Sequence, residues 1–272
     1  MTDLDGLAGF SRLVSALSGW LDRVVIIGGW AHRLYRLHPH AQPVDYAPLT
    51  TFDTDVALPS ELATTTTDIR QRLLAQGFTE EFLGDDRPPA THYRLADETS
   101  GFYAEFLAPL TGSAYQRKSV RKATARIAGV TSQRLRHIDI LLIDPWAVEL
   151  DLTAPAGKLK KVRIANPVCF LVQKILIHAG RSPEKRAKDI LYMHDTLEVF
   201  GGRLAALHED WQSRIRPRLH RNHVQAVTRA SHRIFASTTD IIREAAIMAA
   251  GRGLTPESVR EAGEFGLEQL FE

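Results

Sequence analysis

Apolar residues recur at helical spacing over residues 4–18, where Leu4, Leu7, Ala8 and Leu17 are joined by Phe10, Leu13 and Val14. Gly19 interrupts the pattern. Val24–Ile27 is a continuous apolar run of strand length. Trp30–Leu37 reads as a helix that stops before Pro39. Residues 38–50 carry Pro39, Pro43 and Pro48 and read as a loop, and Phe52–Leu58 reads as a strand ended by Pro59. Residues 66–76 are helical, with Gly77 where a helix C-terminus favours glycine. A β-rich stretch follows at 78–83, 91–95, 102–107, 125–130, 135–143 and 147–152, with a further segment at 160–164.

The periodicity changes at Pro167. Helices are expected at 167–179, 183–200, 203–214, 217–236, 239–250 and 256–270. Ser182-Pro183-Glu184 is a strong helix start: a capping residue, Pro at the first position and an early acid. The pattern predicts an α/β domain over 1–160 and a helical domain over 161–272. The run Thr64–Thr67 is the one low-complexity patch, expected in a loop and helix cap.

Composition adds limits. A chain of 272 residues buries enough surface to fold without staples. The single Cys169 excludes an internal disulfide and suits a reducing, cytoplasmic setting. The first ten residues lack a basic region and a long apolar run, so no secretory signal is expected, and no apolar run reaches the ~20 residues of a membrane span. Net charge is +2, unevenly spread: residues 1–150 hold 15 Lys and Arg against 18 Asp and Glu, and residues 151–272 hold 19 against 14. The basic second half suits an anionic partner, or is ordinary surface variation.

Candidate chemistry centres on "TFDTDVAL". Asp53 and Asp55 alternate on a strand, so both carboxylates share one face. Adjacent carboxylates repel unless a cation lies between them, and oxygen-only ligands suit Mg²⁺ or Mn²⁺. In "RVVIIGGWAHR", Gly28-Gly29 ends a strand and opens a helix, where backbone N–H groups can approach a phosphate closely. Glu105 sits among Phe102, Tyr103, Phe106 and Leu107 and needs a partner, either a metal, a substrate proton or an arginine; Asp139 is its rival as third acid.

Further along, Lys174, His178 and Arg181 share a helix face, and Lys185, Lys188 and Asp189 add charge on the next helix. Together they form a basic face suited to a triphosphate, or simply to solvent. The run "AYQRKSVRKATAR", with Arg117, Lys118, Arg121, Lys122 and Arg126, could touch nucleic-acid phosphates. A zinc site, a dinucleotide fingerprint and a hydrolase elbow all lack their required spacing.

Taken jointly, "IIGGWA…TFDTDVAL…AEFLAPL" resembles the nucleotidyltransferase fold of the polymerase-beta type. The run "NPVCFLVQKILIHAGR…EKRAKDILYMHDTLEVF" is similar to bacterial relatives that include AbiEii-type abortive-infection toxins. The likeness spans roughly residues 20–200. It implies an α+β fold, a mixed sheet with flanking helices followed by an all-helical C-terminal domain. It also implies transfer of a nucleoside monophosphate from an NTP, such as ATP, to a hydroxyl. Asp53, Asp55 and Glu105 would be metal-holding and catalytic, with Mg²⁺ or Mn²⁺ bound. Gly28, Gly29, Lys174, Arg181 and Lys188 would bind the nucleotide. The implied partners are RNA, such as tRNA, or a protein as acceptor, and a cognate antitoxin, with no membrane. A non-catalytic binding module of the same fold, or an antibiotic-type small-molecule transferase, are the alternative readings. Departures from the family pattern are Gly29 where Ser is common, Glu rather than Asp as third acid, and a long loop between Gly29 and Asp53.

Overall fold

The computed structural model describes residues 5–64, 66–84, 89–95, 101–113, 123–151 and 159–272. Two compact units divide the chain. The first comprises Met1–Leu34 and Thr50–Ala165, the second Tyr35–Leu49 and Asn166–Glu272. The proline-rich segment read as a loop therefore belongs to the second unit.

The first unit is built on a mixed sheet. Its strands are β1 (Val25–Ile27), β2 (Asp53–Ala57), β3 (Phe78–Leu83), β4 (Ala90–Leu95), β5 (Tyr103–Pro109), β6 (Thr124–Ile127), β7 (Val130–Leu135), β8 (Trp146–Leu150) and β9 (Lys160–Ile164). The order is β3-β4-β5-β2-β1-β9-β8, with β7 pairing β5 and β6. β2 lies antiparallel to β1 and parallel to β5. The helices α1 (Asp5–Ala16), α2 (Gly28–Leu34), α3 (Ile69–Ala75) and α4 (Ile138–Leu141) complete it. Phe10 of α1 stacks on Trp30 of α2 with ring centres 4.1 Å apart, and Phe102 meets Trp30 edge-on. Phe10 belongs to the apolar stripe that the spacing over 4–18 announced, and it packs on the large buried ring of Trp30.

Local chemistry explains where the sequence reading and the fold differ. The helix expected at 66–76 starts at Ile69, because Asp68 caps it and exchanges bonds with Gln71 in a capping box. The strand expected at 125–130 is instead a hairpin. Ala128 and Gly129 both take positive φ, +46° and +88°, and join β6 to β7. A Cβ on Gly129 would also lie 2.3 Å from the Asp68 carboxylate carbon, so glycine is required there. The strand expected at 135–143 ends at Leu135. His137 takes a left-handed φ of +67°, which turns the chain into the short α4. An apolar run of that length does not by itself separate strand from buried helix.

The second unit is helical: α5 (Pro167–His178), α6 (Pro183–Val199), α7 (Leu204–Asp210), α8 (Arg221–Ile234), α9 (Asp240–Met248) and α10 (Pro256–Phe271). The expected helix 203–214 is split, since α7 passes into a π-turn over Trp211–Ile215 and a 3₁₀ turn at Arg216–Arg218 that contains Pro217. The helix expected from 217 starts at Arg221, capped by His220. Tyr35, Phe170, Tyr192 and Phe200 form an aromatic core. No helix among the described residues is long and apolar enough to cross a membrane. Cys169 is buried and forms no disulfide, a packed thiol.

Candidate active site

Sheet register gathers the first-unit carboxylates. Asp53 and Asp55 lie two residues apart on β2, and β5 pairs Asp55 with Glu105 and Asp53 with Tyr103. Registered neighbours on adjacent strands share a face, so the three acids and Tyr103 line one patch. All three acids are half-buried, whereas Thr54 and Val56 between them point into the core. Ile27 pairs with Asp55 on the other side, which brings the end of β1 and Gly28 to the same place. Gly28 has φ +62°, and a Cβ there would lie 2.3 Å from Asp55 Oδ2. Only glycine lets the backbone run so close to that carboxylate.

The acids are held individually. The Thr51 hydroxyl donates to Asp53 Oδ1. His92 Nε2 lies 2.7 Å from Glu105 Oε1. Arg94 Nη2 approaches His92 Nδ1 at 3.4 Å. A guanidinium only donates, so Nδ1 accepts and Nε2 carries the proton given to Glu105. The His92 ring stacks on Tyr103 at 4.3 Å, and the Arg94 guanidinium lies over the Tyr103 ring at 5.0 Å. Burial first, then the charges of Asp53, Glu105 and Asp55, push the Tyr103 phenol well above its ordinary range. All three carboxylates therefore act electrically on one phenol.

Among the described residues, two trios of potential ligands have their ligand atoms within 4.8 Å of one another: His194, Asp195 and Glu198, and the exposed His232, Glu268 and Glu272. Asp53, Asp55 and Glu105 are not drawn in so tightly. The first trio is already satisfied by protein groups. Arg252 donates to both Asp195 oxygens at 2.9 and 2.8 Å, and the Tyr46 hydroxyl donates to Glu198 Oε2 at 2.6 Å. That network ties the Tyr35–Leu49 segment to α6 and is read as structural.

The residues expected to bind the nucleotide fall in both units. Gly28 and Gly29 stand beside the carboxylates of the first. In the second unit, Lys174 and Arg181 converge on Asp189. Lys174 Nζ donates to Oδ1 at 2.8 Å, and Arg181 Nε lies 3.2 Å from Oδ2 as an ion pair without hydrogen-bond alignment. Lys174 and Asp189 are almost fully buried, whereas Arg181 is partly exposed. The Lys174 ammonium also lies 4.8 Å from the Tyr192 ring centre, and Lys188 lies 5.7 Å from it on the same helix. Asp139, the rival third acid, is exposed on α4. Arg117, Lys118, Arg121 and Lys122 lie outside the described residues, and Arg126 is on β6.

His92 is the site residue that sequence reading missed. Its signal was the alternation of His92 and Arg94 in "THYRL", which places both on one strand face. That β4 pairs with β5, setting His92 opposite Glu105, became visible only in the register.

The chain belongs to a nucleotidyltransferase family: a family model described as "Nucleotidyltransferase" matches residues 8–216. The match takes in the whole sheet and the helices as far as the π-turn after α7. No curated protein matches the chain.

Proposed function

We propose that the protein is a divalent-metal-dependent transferase that moves a nucleoside monophosphate from an NTP to a hydroxyl, with an RNA 3′ end as acceptor. The observation that carries this reading is the shared face of Asp53, Asp55 and Glu105 on two parallel strands, with Gly28 pressed against Asp55. Three carboxylates with only oxygen donors suit Mg²⁺ or Mn²⁺. When bound, such ions neutralise the triphosphate and favour ionisation of the attacking hydroxyl.

The chain's own groups do the rest. The Gly28–Gly29 backbone lets phosphate oxygens approach Asp55 with no side chain in the way. His92 holds Glu105 at 2.7 Å and so orients the carboxylate that accepts the proton of the acceptor hydroxyl. The acceptor oxygen attacks the α-phosphorus, the bond to the β-phosphate breaks, and pyrophosphate leaves. Lys174, Arg181 and Lys188 enter this reading through family resemblance alone. The RNA acceptor rests on the basic balance of residues 151–272 and the run at 117–126. A toxin role with a cognate antitoxin rests on the AbiEii-like run, and a cytoplasmic location on Cys169 being the single cysteine.

Incubation with each of four α-labelled NTPs, Mg²⁺ and total cellular RNA tests this. Labelled RNA and released pyrophosphate are expected. Pyrophosphate release without labelled RNA moves the acceptor to a protein or small molecule. NTP binding without turnover makes the protein a non-catalytic module.

A further inference from the structure

The second unit contains a cavity of about 470 Å³ formed by α5, α6, α8 and α9 alone. Its volume lies in the range of small-ligand sites, roughly 300–1,000 Å³. Ile175, Ile190, Ile234 and Ile241 supply an apolar lining. Arg186 and Arg233 stand at the same cavity, and neither has a carboxylate partner among the described residues. The nearest buried acid, Asp189, is already taken by Lys174 and Arg181, and Asp240 is paired with Arg243. The two guanidiniums therefore leave the cavity with uncompensated positive charge.

His178 adds a second, independent feature. It lines the cavity and is only 6% exposed. Arg186 Nε donates to its Nε2 at 3.5 Å, which puts the ring proton on Nδ1, and Nδ1 has no hydrogen-bond partner. Burial first, then the Arg186 charge, lowers its pKa to about 4, so the ring is neutral and donates through Nδ1. A buried N–H without an acceptor is costly unless a ligand or water satisfies it. Thr239, which caps the N-terminus of the nine-residue α9, is part of the same wall.

We propose that this cavity binds a small organic anion with an apolar body: the body packs on the isoleucines, and a phosphate or carboxylate group meets Arg186 and Arg233. Guanidiniums match both anions with paired N–H donors, and a body without charge would leave them unanswered. The proposal does not depend on the transferase reading, since every residue it uses lies in the second unit.

Isothermal titration of the full-length protein with 1-naphthyl phosphate and with 1-naphthoate tests it; 1-naphthol and inorganic phosphate serve as controls. At least one of the two anions should bind with Kd below ~1 mM. Its affinity should fall about 10- to 100-fold in Arg186→Ala/Arg233→Ala, as for loss of hydrogen bonds to a charged group. Ala230→Trp, which fills the cavity, should abolish binding. Thermal unfolding of each variant shows whether it is folded, and Asp55→Asn should bind the anions as wild type does. The tighter of the two anions identifies the head group. Binding of 1-naphthol as tight as that of the anions would make the cavity merely apolar. Inorganic phosphate binding as tightly would make it a bare anion patch. Either result, unchanged affinity in the folded arginine variant, or no binding at all, overturns the proposal.

Discussion

Two charge clusters in this protein obey opposite rules. On the first unit, Asp53, Asp55 and Glu105 put like charges side by side on a half-exposed sheet face. In the second unit, Asp189 is 1% exposed and faces Lys174 and Arg181, so opposite charges are matched inside the fold. The buried cluster is self-sufficient, since the attraction offsets the desolvation of each ion. The sheet-face cluster gains nothing for the fold from its mutual repulsion. Opposite charge matched inside the fold supports stability, and like charge gathered on a half-exposed face beside a glycine turn is suited to binding. Substitution should separate them: one cluster should report in unfolding, the other in turnover.

The largest effect is expected in the buried cluster. Asp189→Ala leaves Lys174 and Arg181 without their anion and should destabilise by roughly 3–5 kcal/mol. Chemical denaturation checks this; a loss below about 1 kcal/mol would show that the triad is wetter than its burial implies.

Next comes Asp55→Asn. It should lower nucleotide transfer at least ~10²-fold, as for loss of one preorganised charged group. Its melting temperature should stay level or rise slightly, because a like-charge contact is relieved. A variant that melts early would place Asp55 with Asp189 among the structural acids and erase the contrast.

A smaller effect is expected at His92, which positions Glu105. His92→Ala should slow transfer about 10- to 100-fold, the usual cost of removing an outer hydrogen-bonding partner of a ligating side chain. His92→Gln, which retains an N–H donor, should recover part of the rate. Equal rates for the two variants would mean that the 2.7 Å contact is packing rather than orientation.

The smallest effect is a pH dependence. The folded-state pKa of His178 is about 4, below the ordinary 6.5. Between those values the unfolded chain binds more protons than the native one. Stability is therefore held above pH 6.5 and lost as pH falls towards 4. His178→Asn removes this titration and should flatten the fall in unfolding free energy across that window. An unchanged slope would assign it elsewhere; His38, also lowered to about 4, is the first alternative.

Much of the candidate site was legible because it rests on short-range rules. Alternation put Asp53 and Asp55 on one face, and the glycine pair after an apolar strand marked a close backbone approach. Glu105 was legible as a charge in an apolar run, but its partner was not: His92 is 13 positions away, and only the pairing of β4 with β5 joins them. The surroundings of the basic helix face were not legible for a related reason. Periodicity marks the polar side of α5, yet a helix packed nearly all round buries that side as well, and Lys174 is neutralised from α6. The Tyr35–Leu49 segment has no periodicity, so its membership of the helical unit rests on long-range bonds such as those of Gln42 to Val199 and Tyr46 to Glu198.

The central proposal is that the sheet-face acids hold a divalent metal and that nucleotide transfer depends on it. Titration of Mn²⁺ into nucleotide-free wild type and Asp53→Asn/Asp55→Asn, with the free ion followed by electron paramagnetic resonance, tests it most directly. The account predicts that wild type removes Mn²⁺ from solution stoichiometrically, while the double variant, folded and equally stable, does not. Identical Mn²⁺ binding by the two proteins would contradict it.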